Sequence, residues 1–231
     1  MAMNIIHSGN LTKITNLAYA VEKERTNPTL PDFNSPIYNI PRELREMAAD
    51  YWEKGRDENI LSLMSNEVAL IFVGNNIHRL IARGTYEQCL IDAYSGIRTN
   101  FSNWNTNYIE HLFLVADRDK LLNAGDPLPG GEEFKLYRGV AGNKNQRRIR
   151  GISWTSDPNC AAWFAQRYVD CGIGDPAVYE VEIFKGDIYA YINDRNEHEF
   201  LIVPKPKMKI RKLKILPDHR KFAELIQKSF L

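Results

Sequence analysis

The sequence predicts an α+β protein, with a helical N-terminal region over residues 1–126 and a strand-rich region over residues 127–231. Three observations predict it. Apolar residues recur at helical spacing as far as Leu122, then alternate after the turn-forming run Asp126-Pro127-Leu128-Pro129-Gly130-Gly131. The later strands have helices inserted among them without regular β-α-β alternation. No G-x-G-x-x-G follows a strand, which argues against a doubly wound dinucleotide fold.

The N-terminal elements follow in order. A helix is expected around Leu11 to Glu24, then an extended connector punctuated by Pro28, Pro31, Pro36 and Pro41. Pro41 suits the first position of a helix carrying Leu44, Met47, Ala48 and Tyr51. A second helix is expected from about Glu58 to Phe72. A third starts at Thr85, where Thr85-Tyr86-Glu87-Gln88 has the form of a capping box. Its stripe of Tyr86, Cys89, Leu90, Ala93, Tyr94 and Ile97 reads as core. A fourth runs from Thr106 to Leu122 and stops at Asn123-Ala124-Gly125.

Strands are then expected at Phe134 to Val140, Ile149 to Thr155, Ala177 to Phe184, Asp187 to Tyr191, Glu197 to Val203 and Lys207 to Leu216. Asp157-Pro158 opens a helix with Asp157 as N-cap, and Asp218 caps a last helix. Gly172-Ile173-Gly174 reads as a turn after a helix rather than a phosphate cradle.

Composition bounds the function. At 231 residues, 44% hydrophobic and 26% charged, the chain can bury one large core or two small ones. A net charge of +1 gives no overall bias toward nucleic acid or membrane. The first 131 residues carry a small excess of acids and the remainder a small excess of bases. Cys89, Cys160 and Cys171 form no C-x-x-C pair, and His7, His78, His111 and His219 lack partners at ligand spacing, so no metal is expected. The longest apolar run, Val68 to Val73, is too short to span a bilayer. No signal-peptide pattern opens the chain. A cytoplasmic site of action follows as the expectation.

Three polar sites on strands carry the chemistry. In Leu136-Tyr137-Arg138-Gly139 an arginine interrupts an apolar strand. Its guanidinium fork suits a diphosphate, and the adjacent Gly139 would let backbone approach it. In Ser153-Trp154-Thr155 two hydroxyls share one face and Trp154 takes the other. In Glu197-His198-Glu199 two carboxylates share a face at the mouth of an apolar strand, and mutual repulsion is tolerated where charge is useful. His198 faces away from the acids.

This ordered set, Arg138, then Ser153-Trp154-Thr155, then Glu197-His198-Glu199 with Phe200-Leu201-Ile202-Val203-Pro204 behind it, resembles the mono-ADP-ribosyltransferase family. It is most similar to the Arg–Ser–Glu branch that includes clostridial binary-toxin enzyme subunits and arginine-specific ecto-enzymes. The resemblance covers roughly residues 132–205, and Trp154 departs from the usual small middle residue. It implies a mixed-sheet catalytic core with a central cleft for NAD as substrate. Catalytic roles fall on Glu199, Glu197 and Ser153, and NAD contacts on Arg138, Gly139, Ser153 and Thr155. Tyr191, in the turn before the acids, would meet the acceptor, and Trp163 or Phe164 could stack on nicotinamide. The Glu-x-Glu form favours a protein arginine as acceptor. RNA or DNA is the rival, on the basic stretches at Lys144–Arg150 and Lys205–Lys214. Further alternatives are an NAD glycohydrolase and a non-catalytic NAD- or partner-binding module. An inhibitor or antitoxin is a compatible partner.

Overall fold

A computed structural model of the chain describes residues 8–97, 105–143, 147–170, 172–193 and 196–229. Two compact units divide the chain, Met1–Phe101 and Ser102–Leu231. This division precedes the change from helices to strands. The last two helices of the 1–126 region therefore belong with the sheet.

In the first unit six helices are described: α1 (Ser8–Thr26), α2 (Arg45–Glu53), α3 (Asp57–Leu61), α4 (Asn66–Asn75), α5 (Ile77–Arg83) and α6 (Tyr86–Gly96). The helix expected from Glu58 to Phe72 is broken at Ser62–Ser65, and α5 follows it without having been expected. Pro41 precedes a short 3-10 turn, Arg42–Leu44, rather than opening α2 directly. The proline-rich connector is packed, not free. Phe33, Tyr38 and Ile40 are buried, and the Tyr38 ring meets Phe72 edge-on at 5.2 Å.

The stripe on α6 is core as expected, with Tyr86, Cys89 and Leu90 fully buried. Thr85, however, caps nothing with its side chain. Its hydroxyl donates to Asp57 Oδ2 at 2.6 Å, where the Arg83 fork also binds at 2.7 and 2.9 Å. A wholly buried carboxylate outcompetes a helix end for that hydroxyl, because an unsatisfied buried charge is far the costlier of the two.

In the second unit α7 (Thr106–Val115) and α8 (Arg118–Ala124) replace the single helix expected there. Asp117 ends the run by accepting from the Asp119 and Lys120 amides and capping α8. Then come β1 (Glu133–Val140), β2 (Ser153–Thr155), α9 (Pro158–Asp170), β3 (Ala177–Phe184), β4 (Ile188–Ile192), β5 (Glu199–Ile202), β6 (Arg211–Lys212) and α10 (His219–Ser229). Asp157 and Asp218 cap α9 and α10 as their sequences predict, accepting from the Asn159 and Arg220 amides.

The strands form one sheet in the order β4-β5-β2-β1-β3-β6. Every described pairing is antiparallel, so the expected mixed sheet is not observed. The helical crossover α9 does join two parallel strands, β2 and β3, but β1 lies between them and pairs antiparallel with both.

Leu136, Trp154, Val181, Ile183, Ile188, Tyr191, Phe200 and Ile202 bury one face. On the other, Ala161 and Ala162 of α9 pack against Val178 and Tyr137. Three expected strands are shorter than predicted, that over Glu197 to Val203 being reduced to Glu199–Ile202. The second begins at Ser153, and Lys207 to Leu216 forms only the two-residue edge strand β6, exposed on both residues. Met208, Ile210 and Leu213 of that segment still pack against the sheet, outside any longer ladder.

Candidate active site

The three polar motifs lie far apart in sequence, yet their strands β1, β2 and β5 are neighbours in the sheet. Register makes the arrangement specific. Tyr137 pairs with Thr155, and Thr155 pairs with Glu199, so these three form one row across the sheet. Adjacent strands lie ~4.8 Å apart, so the row is compact. Ser153 pairs with Leu201 and shares the face of Thr155 and Glu199. Trp154 turns to the opposite core, where its Nε1 donates to the Gly151 carbonyl at 2.8 Å.

Arg138 follows a different geometry. It is next to Tyr137 on β1 and opposite Tyr179, so alternation sends its side chain to the face away from Thr155. From there its Nη1 donates to the Ser153 carbonyl at 2.6 Å and its Nε to the Arg148 carbonyl at 3.2 Å. Gly151 makes room for the fork, since a Cβ there would lie 2.2 Å from Nη2. Arg138 is thus bound to the backbone of the Ser153 strand, and half-buried.

Gly139 serves packing. A Cβ at this position would lie 1.7 Å from the Ala161 carbonyl oxygen, so the glycine lets α9 sit directly on β1. Close approach of a helix is by itself enough to require a glycine here.

The acids occupy the end of the sheet beside the start of α9. The strand begins at Glu199, not Glu197, because Asn196 and His198 both adopt left-handed backbone, with φ of 54° and 46°. Glu197 lies in a turn between them, and strand alternation does not set its direction. Both acids are half-buried. Thr155 Oγ1 donates to the Glu197 carbonyl at 2.6 Å and accepts from the Asp157 amide at 3.0 Å. The buried Thr155 hydroxyl is therefore occupied in holding the turn and the start of α9, instead of being presented to a cofactor.

The Cys160 thiol donates to the same Glu197 carbonyl at 3.7 Å. Its pKa is pushed up by burial, then by the charges of Glu197, Asp157 and Glu199. The negative field of the two glutamates thus reaches the first turn of α9. Cys160 itself stays a neutral thiol, unsuited to nucleophilic attack.

Tyr191 departs from its expected role. It is buried on β4 against Phe200, ring centroids 4.8 Å apart, and its hydroxyl meets His198 Nδ1 at 2.8 Å. Such a residue presents little of itself to an acceptor. His198, whose ring meets Tyr191 of the apolar core, is the residue that sequence reasoning left without a purpose. Trp163 stacks edge-on with Phe222 of α10 at 5.8 Å and with Phe164 at 5.0 Å, so both aromatics have packing partners.

Among the described residues no group of His, Cys, Asp and Glu is placed to hold a metal ion. No helix among them is long and apolar enough to cross a membrane. No family model, curated protein or solved structure matches the chain.

Proposed function

We propose that the chain is a mono-ADP-ribosyltransferase that moves ADP-ribose from NAD to a macromolecular acceptor, most simply a protein arginine. The observation that carries the reading is the sheet order. The Arg138, Ser153 and Glu199 strands, far apart in the sequence, are adjacent, with Thr155 and Glu199 in register and Arg138 bound to the Ser153 backbone.

NAD supplies a glycosidic bond between nicotinamide and ribose whose cleavage develops positive charge on the ribose. Glu199 is the fixed negative group on the strand, and a carboxylate is worth most where positive charge grows in the transition state. Ser153, on the same face, orients Glu199 and the donor. Glu197, in the turn, faces the acceptor. A guanidinium with a pKa above about 12 needs a neighbouring carboxylate to orient it and take its proton during attack. Arg138, on the opposite face, supports the site by holding the Ser153 and Arg148 carbonyls, in place of the diphosphate contact expected from the sequence. Gly139, Thr155 and Tyr191 support the site through packing and hydrogen bonds without touching substrate.

One observation favours the nucleic-acid rival. Arg150 donates to the Lys205 and Pro206 carbonyls at 2.8 and 3.1 Å, which sets it beside the start of the second basic stretch; Lys144 to Gln146 of the first lie outside the described residues. Its force is reduced by acids in the same region, since Lys205 pairs with Asp187, and Arg211 with Glu180 and Glu182.

The deciding experiment incubates the protein with NAD labelled in the adenylate and a cell lysate, followed by separate protease and nuclease treatment. Label in a protease-sensitive band supports the proposal. Label only in nuclease-sensitive material replaces the acceptor, and no NAD consumption at all removes the reading.

A further inference from the structure

The turn that carries the acids is strained and tied on every side. Asn196 and His198, neither of them glycine, both hold left-handed backbone, a conformation that persists only where surroundings enforce it. The enforcing contacts come from three directions. From β4, Tyr191 reaches His198 Nδ1 at 2.8 Å. From the segment after β4, Asn193 Oδ1 accepts from the His198 amide at 3.2 Å, while the Asn193 amide donates to Asp126 Oδ2 at 2.6 Å. From β2, the Ser156 amide donates to the His198 carbonyl at 3.3 Å, and Thr155 holds the Glu197 carbonyl. His198 is the hub, bound through its amide, carbonyl and ring.

We propose that Tyr191 and His198 are positioning residues: their hydrogen bond locks the left-handed turn at residues 196–198 and so fixes where Glu197 and Glu199 stand. The lock operates from the far face of the sheet. Tyr191 and Phe200 lie in the apolar core, whereas Glu199 shares the face of Thr155 beside α9. The pair can therefore set the backbone of the acids without entering the space a substrate would use. Burial, then the charge of Asp126, raises the Tyr191 pKa, so the phenol keeps its proton. The Tyr191 hydroxyl and His198 Nδ1 share this one hydrogen bond, whichever of the two donates. The catalytic part of this inference rests on the proposed activity; the lock does not.

The test is Tyr191→Phe, which keeps the ring in its packing and removes only the hydroxyl. Two readouts are taken: hydrogen exchange at the amides of residues 196–200, and kcat and KM for NAD cleavage. The lock predicts roughly tenfold faster exchange at the His198 amide and a kcat about tenfold lower with KM for NAD nearly unchanged, the loss of one hydrogen bond. His198→Asn, with Tyr191 intact, should keep both near wild type, because its Oδ1 replaces Nδ1 and asparagine accepts left-handed backbone. His198→Ala should match Tyr191→Phe, and the double variant should be no worse than either single one. Wild-type exchange in Tyr191→Phe overturns the lock. Faster exchange with unchanged kcat overturns the positioning role. A wild-type protein inert toward NAD removes the activity reading instead, and exchange alone then supports or overturns the lock.

Discussion

Replacing Gly139 with alanine separates two meanings of the same residue. The added Cβ would stand 1.7 Å from the Ala161 carbonyl oxygen and 2.8 Å from both the Ala161 carbonyl carbon and the Ala165 amide nitrogen. All three are backbone atoms in the middle of α9, so no side chain can swing aside. The helix must retreat from β1 by more than an ångström, opening the contact made by Ala161 and Ala162. Overpacking costs about 1–3 kcal/mol, and an obstruction made of backbone belongs at the upper end. A loss of about 3 kcal/mol lowers the melting temperature of a domain of this size by roughly 10 °C. Gly186→Ala is the control, since a Cβ there meets nothing within 4 Å. Thermal melts of both variants, followed by NAD-binding calorimetry, are the assay. If Gly139→Ala melts with Gly186→Ala yet binds NAD weakly, the glycine serves substrate approach and the packing argument fails.

Glu197→Ala should cut transfer to the acceptor strongly while hydrolysis of NAD to water persists; equal loss of both in a paired assay would place Glu197 on the donor side. Asp57→Ala leaves the Arg83 fork without its buried partner, which costs about 3–5 kcal/mol. The lower end applies because Arg83 keeps its stacking on Trp52 at 4.2 Å, and a urea titration reads the shift. Acid should weaken the first unit. Burial and neighbouring Arg79 hold His78 below its ordinary 6.5, so stability present above that pH is lost as the ring is forced to take a proton. Burial alone would raise Glu24, but bonds from Thr29 and the charges of Arg79 and His78 hold it below its ordinary 4.5, adding a second loss at lower pH. Denaturant midpoints measured from pH 7 downward should fall in these two stages, and His78→Gln should abolish the first.

What the sequence disclosed depended on how local the cause was. Ala177–Phe184 alternates cleanly and is found with those bounds. Asp157 and Asp218 cap helices because a cap needs only its own next few residues. The capping-box form at Thr85 misled because its hydroxyl answers to Asp57, twenty-eight residues away. Gly139 has a cause that is likewise distant, the backbone of α9, which the sequence reading did not weigh. At the candidate site the residue types were legible, and the neighbouring strands place them together. The left-handed turn was not: alternation carried through Glu197 and His198 as though the strand began there. Asn196 was the available signal, being a residue type that favours such backbone. Nothing local signalled that Tyr191 would be drawn inward to His198.

The most direct test of the central claim is NAD cleavage by Glu199→Gln, which keeps the side chain's size while removing its charge. Glu199 begins β5 in register with Thr155, so the substitution leaves the ladder intact. The account predicts a fall in turnover of about 10² or more, the loss of a fixed charge at a developing positive centre, with an unchanged melting temperature. Wild-type turnover in Glu199→Gln would contradict it.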